Sequence, residues 1–246
     1  MAGDHIQIPK SILERFSDKQ KKIYAMDINK KIEHKLISEV NTKIGYYNEY
    51  VEKYVLKKRE DAFGIIRKTI NAFLKGKGTI ELSKKNNDII IDYFCITIFR
   101  SEETIKEMEK QSVAMKLIDG EPQNIIFSFY DRCISEVKKN LSNLYFNILE
   151  NTSSIDFVIP QKQFYHCIQE GGTVQYIMPI SPRLAITLNT NIEKYIVDDK
   201  VLIQKVKTDE HLDILNIMAI KDEFKENKKM VYAKKQETLE RYVNCY

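Results

Sequence analysis

The segment from Ser154 to Asn189 constrains the fold of this chain more than any other. It is the one long stretch in which apolar residues alternate with polar ones, and Pro179 and Pro182 bracket Ser181 within it. Alternation with a period of two is typical of a β-strand that buries one face. Each proline lacks a backbone donor and biases the residue before it toward extended geometry, so this part of the segment predicts a sharp, non-helical connection.

A β-hairpin is predicted inside this segment. The stretches Phe164–Ile168 and Thr173–Met178 are rich in β-branched and aromatic residues, and the four residues between them end in two glycines. A four-residue loop pairs Tyr165 with Tyr176 and His166 with Gln175. The face that we expect to be buried then carries Tyr165, Cys167, Val174 and Tyr176.

Helical and β periodicities occupy different parts of the chain. Residues 46–150 are helix-rich, with the strongest apolar stripe over 122–150, whereas 154–206 are β-rich and 207–246 fit C-terminal helices and a short strand. This segregation predicts an α+β fold, in which a helical middle segment packs on a mainly antiparallel β-sheet. We expect that sheet to be formed by 154–206 and the early strand 22–28, and residues 1–246 to form a single domain.

The composition is that of a soluble globular protein. Hydrophobic residues make up 43% and charged residues 30% of the 246 positions, and no run of about 18 apolar residues occurs. The first residues lack the basic and apolar regions of a signal peptide. The four cysteines are scattered, which indicates reduced core thiols and not a disulfide framework or a zinc site. We therefore expect a cytoplasmic protein with no membrane partner, metal or cofactor.

The net charge of +4 is unevenly distributed. Residues 1–85 contain 19 Lys and Arg against 11 Asp and Glu, whereas the remainder contains 20 against 24. A basic N-terminal third is typical of a surface that faces phosphate, although a solvated lysine-rich surface has the same composition. The residues predicted to contact nucleic acid, at the end of one helix and on the exposed side of the next, are Lys57, Lys58, Arg59, Arg67 and Lys68.

The two turns that flank the hairpin form a candidate ligand-binding surface. Because the hairpin leaves from 159–163 and returns at 179–183, both turns are expected at the same end of it. Ser181 and Arg183 offer a hydroxyl and a guanidinium that suit a carboxylate or phosphate, or else the turn only orients the next strand. The predicted ligand-binding residues are Gln161, Gln163, His166, Ser181 and Arg183.

No catalytic residue is predicted. His166 and Cys167 are adjacent on a strand, so their side chains point to opposite faces and do not form a dyad. The ligand set contains no carboxylate, which suits recognition of an anion or a peptide and not of Mg²⁺. On this reasoning, replacing Arg183 with alanine would abolish function and leave the melting temperature nearly unchanged.

Three segments, in order, resemble a bacterial family catalogued as domain of unknown function 4238. Members of that family open with a motif like HYVPQFYLRNF and later carry a FITSDNP strand and turn and a PLSP turn. The similar stretches here are Ile8–Phe16, Phe157–Gln161 and Pro179–Pro182, and Asn216 and the strand at Val231-Tyr232 are similar too.

The chain departs from the family pattern at the acid of the SDNP turn, where Gln161 stands. If that acid holds a metal or acts as a base in relatives, this chain has lost or moved the activity, because an amide cannot supply the charge that a hard cation needs. Gene neighbourhoods of the family are associated with mobile elements and antiphage defence.

The resemblance implies an intracellular bacterial or phage-borne protein, an antiphage-defence or toxin-type effector that interacts with nucleic acid. A nuclease is one expectation, and Gln161 leaves catalysis open. The alternative is a non-enzymatic binding or regulatory protein that recognises a protein or a small anionic ligand through the 159–183 turns.

Overall fold

A computed structural model describes residues 4–5, 7–40, 42–43, 49, 51–76, 84–100, 132, 134–136, 138–139, 141, 144–168, 174–189, 203–225 and 229–245. The chain divides into two compact units. Unit 1 consists of Met1–Ile44 together with Tyr145–Tyr246, and unit 2 is Gly45–Leu144. The expectation of a single domain over residues 1–246 stays a prediction.

The described residues form α-helices and short strands. The helices are α1 (Lys10–Phe16), α2 (Lys57–Leu74), α3 (Lys84–Phe99), α4 (Asp209–Glu223) and α5 (Gln236–Glu240). The strands are β1 (Asp4–His5), β2 (Lys22–Asp27), β3 (Ile32–Leu36), β4 (Thr42–Lys43), β5 (Tyr145–Asn151), β6 (Ile159–Pro160), β7 (Tyr165–Ile168), β8 (Val174–Ser181), β9 (Leu184–Asn189), β10 (Ile203–Val206) and β11 (Met230–Ala233).

Unit 2 is helical in its described residues. A π-helical turn at Val51–Leu56 continues into α2, which packs against α3. The contact includes Phe63 and Tyr93, whose rings stack with centroids 3.8 Å apart. No helix in the described part of the chain is long and apolar enough to cross a membrane.

Only part of the expectation for the cysteines is tested. Cys95 is a free, buried thiol, and burial raises its pKa to about 12. Cys245 is free but exposed, so it does not belong to the core. The side chains of Cys133 and Cys167 lie outside the described residues.

Unit 1 contains two mainly antiparallel sheets. In its described residues, one sheet has the order β10-β5-β9-β8-β7 and the other the order β3-β2-β11-β6, with β1 and β4 forming a separate pair. Among the strand pairs of the described residues, only β10–β5 is parallel. The α+β class is thus confirmed. The expected single sheet of 154–206 with 22–28 is wrong, because β2 pairs with β3 and β11 in the second sheet.

The predicted helix over 122–150 is too long, because its last residues form a strand. Residues 101–131 lie outside the described part, described residues between 132 and 141 are helical, and Tyr145–Asn151 is strand β5. This strand lies between β9 and β10, and Phe146, Ile148 and Leu149 are all buried. A strand buried on both faces is a nearly continuous apolar run, which a helical stripe also matches.

The hairpin forms, but its register differs from the predicted one by one residue. Tyr165 lies opposite Ile177 and His166 opposite Tyr176. Both Tyr165 and Ile177 are fully buried, whereas Tyr176 is half-buried and its ring meets the edge of Phe164. A slip of one residue moves side chains to the other face of a strand, and here it brings Ile177 into the core in place of Tyr176.

Three side chains of α4 hold the segment 154–162 along the helix. The bonds run from the Ser154 amide to Asp209 Oδ1 (2.8 Å), from the Val158 amide to Asn216 Oδ1 (3.0 Å) and from the Lys162 amide to Glu223 Oε2 (3.4 Å). We call Asp209, Asn216 and Glu223 the α4 anchors. They are seven residues apart, which is close to two helical turns, so they lie on one face of α4.

Candidate functional site

The turn after β6 carries the chain from one sheet of unit 1 to the other. The Gln161 amide donates to the Met230 carbonyl (3.0 Å), and the Met230 amide donates to Gln161 Oε1 (3.0 Å). Gln163 is fully buried, has a φ of 68°, and donates its amide to the Pro160 carbonyl (2.8 Å). A positive φ is uncommon for a residue other than glycine. Both glutamines therefore shape the turn, and their side chains are buried, at 7% and 0% exposure.

Asp222, near the end of α4, gathers three cationic or titratable side chains at this turn. Lys162 Nζ lies 2.8 Å and His166 Nδ1 3.5 Å from Asp222 Oδ2, and Lys225 Nζ lies 3.1 Å from Oδ1. The Asp222 side chain is only 6% exposed. Burial alone would raise the pKa of Asp222, but the hydrogen bonds from Lys162 and Lys225 lower it below its ordinary value. Asp222 is therefore the ionised centre of the cluster.

Glu223 is the second carboxylate of the cluster and is 2% exposed. Its Oε2 accepts from the Lys162 amide, and its Oε1 is buried with no hydrogen-bond partner among the described residues. Burial raises the pKa of Glu223 to about 7, although the charges of Lys162 and Lys229 act in the opposite direction. A carboxyl group that exchanges its proton near neutral pH is common at functional sites.

His166 is the member of the cluster that faces solvent, with 42% of its side chain exposed. Asp222 lies on the Nδ1 side of the ring, and Nε2 has no partner in the described part of the chain. The carboxylate lies close to one ring nitrogen, and the other nitrogen is left to accept or donate a proton. We refer to Lys162, His166, Asp222, Glu223 and Lys225 as the turn cluster.

Ser181 and Arg183 do not join this cluster. Arg183 Nη1 donates to the carbonyls of Ser153 (2.5 Å) and Ile155 (3.1 Å), and Nη2 lies 3.1 Å from Asp156 Oδ1. The Asp156 carboxylate is 4% exposed, so Arg183 balances a buried charge. Ser181 Oγ accepts the Arg183 amide (3.3 Å). Both residues thus fix the local backbone, and we expect Arg183→Ala to lower the melting temperature, contrary to the expectation from the sequence.

The Arg183 side chain lies apart from Lys162 along α4. Arg183 contacts Ser153–Asp156, beside the Asp209 end of the helix, whereas Lys162 lies at the Glu223 end. A rise of 1.5 Å per residue separates these ends by about 21 Å. The two turns do lie at the same end of the hairpin, as predicted, since Tyr165 lies opposite Ile177. The Arg183 guanidinium, however, does not converge with the Lys162 turn.

The turn cluster contains carboxylates that the sequence reasoning missed. It recognised the helix over 209–222 but assigned no role to Asp222 and Glu223, and it expected no carboxylate at the site. An acidic pair in the last turn of a helix is unfavourable next to the negative end of the helix dipole. This unfavourable position is the signal in the sequence that could have indicated a role for Asp222 and Glu223. The neighbouring lysines Lys162, Lys225 and Lys229 offset that cost.

The five basic residues predicted to contact nucleic acid all lie on α2. Lys57, Lys58 and Lys68 are exposed and Arg59 is half-buried, with its Nη1 donating to the Val55 carbonyl (3.0 Å). Arg67 is buried, at 9% exposure, so its expected place on an exposed surface is wrong. Its aliphatic stem faces the same side of α2 as the buried Phe63 and Ile66.

The donor set of the turn cluster favours acid–base chemistry. Lysine ammonium groups already lie against the Asp222 carboxylate, where a hard cation would have to bind. Among the described residues no group of three or more His, Cys, Asp or Glu side chains has an arrangement that could hold a metal ion.

Comparison with known proteins identifies a family. No curated protein and no solved structure matches the chain. The family model of the proteins of unknown function DUF4238 matches residues 5–237 and so includes the turn cluster. This agrees with the resemblance seen in the sequence, and the chain belongs to the DUF4238 family.

Proposed function

We propose that this protein is a cytoplasmic bacterial or phage-borne effector, of the antiphage-defence or toxin type, that cleaves RNA by acid–base chemistry at the turn cluster. The observation that carries the proposal is the His166–Asp222 pair, in which a buried carboxylate lies 3.5 Å from Nδ1 of an imidazole side chain that is 42% exposed. An exposed imidazole beside a carboxylate suits the role of a general base or acid.

The lysines of the cluster suit a phosphate. Lys162 Nζ and Lys225 Nζ lie on the two oxygens of Asp222, and 67% of the Lys225 side chain is exposed. An ammonium group beside a phosphodiester stabilises the charge that develops on its oxygens during cleavage. The cluster therefore combines a proton acceptor with cations for the transition state.

RNA is the substrate because its ribose carries its own nucleophile. His166 Nε2 accepts the proton of the 2′-hydroxyl while the 2′ oxygen bonds to phosphorus. The bond from phosphorus to the 5′ oxygen breaks, that oxygen takes a proton from water, and His166 returns its proton to solvent. The products are a 2′,3′-cyclic phosphate and a 5′-hydroxyl. DNA lacks the 2′-hydroxyl and is not cleaved by this route.

Nucleic-acid contacts on α2 form a separate part of the proposal. Lys57, Lys58, Arg59 and Lys68 remain as the proposed phosphate-binding residues, without Arg67. Contacts of this kind release counterions, so RNA affinity should fall steeply with salt and should weaken when these four charges are reversed. Affinity that is indifferent to both changes would remove this surface from the proposal.

The deciding experiment is a cleavage assay on single- and double-stranded RNA and DNA in the presence of EDTA. We expect single-stranded RNA to yield 2′,3′-cyclic phosphate ends, and His166→Ala to slow cleavage by about 100-fold or more, the contribution typical of a general base. His211→Ala is the matched control, because His211 is exposed at the start of α4. Cleavage that requires Mg²⁺, or that His166→Ala retains, contradicts the proposal.

A second candidate is recognition of an anionic ligand or protein without catalysis. The observation that favours it is the pairing of Asp222 with two lysines together with the burial of Glu223. Neither carboxylate of the turn cluster is then exposed beside His166 as a second acid or base. Binding of RNA or inorganic phosphate with no cleavage, weakened by Lys225→Ala, would select this candidate.

A further inference from the structure

A cavity of about 440 Å³ lies elsewhere in unit 1, at the C-terminal end of β11. Its lining comes from Asp18 between α1 and β2, from β2, from the two residues that follow β11, and from α5, which packs across β2, β3 and β11. The volume lies within the range of about 300–1,000 Å³ that is usual for small-molecule sites. None of its lining residues belongs to the turn cluster.

One wall of the cavity is an aromatic ring that is held in place. Tyr24 lines the cavity and stacks on His34, with ring centroids 4.2 Å apart and planes inclined by 7°. His34 Nε2 lies 3.2 Å from Asp18 Oδ2, and Asp18 Oδ1 accepts the amides of Gln20 and Lys22. Because His34 covers one face of the Tyr24 ring, a ligand in the cavity would have to stack on the other face.

Some of the charged side chains around the cavity already have hydrogen-bond partners, and others have none within the described ranges. The carboxylates of Asp18 and Glu240 already accept hydrogen bonds, the latter from Gln236 Nε2 at 2.7 Å. Lys234 and Lys235 are both exposed, and neither has an ion-pair partner in the described part of the chain. Two ammonium groups without an ion pair among the described residues therefore line the same cavity as the Tyr24 ring.

We propose that this cavity binds a nucleotide, with the base stacked on Tyr24 and the phosphate bound by Lys234 and Lys235. A fixed aromatic ring beside basic side chains is the arrangement by which proteins hold unpaired nucleotides. The Glu237 carboxylate at the same cavity is a hydrogen-bond acceptor for an N–H of the base. The ligand is either a free nucleotide or one residue of a single strand.

The site and the turn cluster share no residue, so the two proposals can fail separately. Binding is measured on the full chain by calorimetry with AMP, adenosine, ribose 5-phosphate, a ten-residue oligoadenylate and an RNA duplex. We expect AMP to bind more tightly than adenosine or ribose 5-phosphate, because only AMP engages both the ring and the lysines. An oligonucleotide that binds at least tenfold more tightly than AMP assigns the site to a single strand, and equal affinities assign it to the free nucleotide.

Variants identify the contacts. Tyr24→Leu should weaken AMP by about tenfold, the loss expected for one stacked base. The exposed pair Lys234→Ala/Lys235→Ala should weaken it similarly and remove the salt dependence, and this variant does not disturb the core. Tyr54→Leu is the control, since Tyr54 is 53% exposed in unit 2. Ribose 5-phosphate binding as tightly as AMP, unchanged affinity in both test variants, or no binding of any probe would overturn the proposal.

Discussion

At the scale of single residues, Glu223 connects the stability of the fold to pH. Its pKa is raised from 4.5 to about 7 because the carboxyl is buried beside the turn. Between these two values the unfolded chain releases a proton that the folded chain keeps. The stabilisation from the neutral form is thus fully present below pH 4.5 and is lost as the pH rises to about 7.

Replacing Glu223 with glutamine should remove this pH dependence. A shift of this size corresponds to about 3 kcal/mol of unfolding free energy lost between pH 5 and pH 8 in the parent chain and retained in Glu223→Gln. Urea unfolding across this pH range measures the difference. Glu210→Gln, an exposed position on the same helix, is the control and should follow the parent. Parallel profiles for the parent chain and Glu223→Gln would show that Glu223 ionises normally.

The residues of the candidate site were only partly predictable. The sequence singled out the 159–163 turn because the predicted hairpin leaves from it, and it placed His166 on the strand that follows. It did not indicate Asp222 and Glu223, since their position opposite Lys162 depends on how α4 packs on β6 and β7. Arg183 was read as a ligand-binding cation because nothing in its neighbourhood reveals the buried carboxylate of Asp156.

At the scale of elements, α4 and the segment 154–162 depend on one another. Asn216 is 1% exposed and lies in the middle of the α4 anchors. Its Oδ1 accepts the Val158 amide, and its Nδ2 donates to the Asp156 carbonyl (2.9 Å) and to Tyr242 Oη (2.9 Å). One side chain therefore satisfies a backbone donor and a backbone acceptor that are buried between elements.

Asn216→Ala should lower the unfolding free energy by about 3 kcal/mol, because it leaves two buried backbone groups without partners. Asn216→Asp keeps the acceptor for Val158 but loses the donor, so its cost should differ from that of the alanine variant. Denaturant unfolding and hydrogen exchange at the Val158 amide measure the effect. Ile214→Ala is the control on the same helix, since Ile214 is 56% exposed. An Asn216→Ala variant as stable as this control would contradict the assignment.

Some elements were predicted well. Helix α4 and strand β11 occur where the sequence pattern placed them, and α2 and α3 lie within the part predicted to be helix-rich. The failures are β5 and the register of the β7–β8 hairpin. In both cases burial is decided by strands distant in the sequence, so local alternation gives no unique answer.

At the scale of the whole molecule, unit 1 is assembled from the two ends of the chain. Strand β2 pairs with β11, which lies about two hundred residues later. We expect unit 1 to remain folded when residues 45–144 are replaced by a flexible linker of about ten residues, because closing a loop depends only weakly on its length. Cooperative unfolding and protected β2 and β11 amides would demonstrate this. An unfolded product would instead support the single domain expected from the sequence.

The α4 anchors also restrict how members of the family can differ in length. The anchors recur every seven residues on the helix and every four on the extended segment. A deletion of one residue inside either segment shifts every later anchor away from its amide. A second deletion in the other segment does not restore the match, because seven residues of the helix span the same length as four residues of the extended segment. Insertions and deletions among relatives should therefore fall outside both segments, for example between residues 162 and 209.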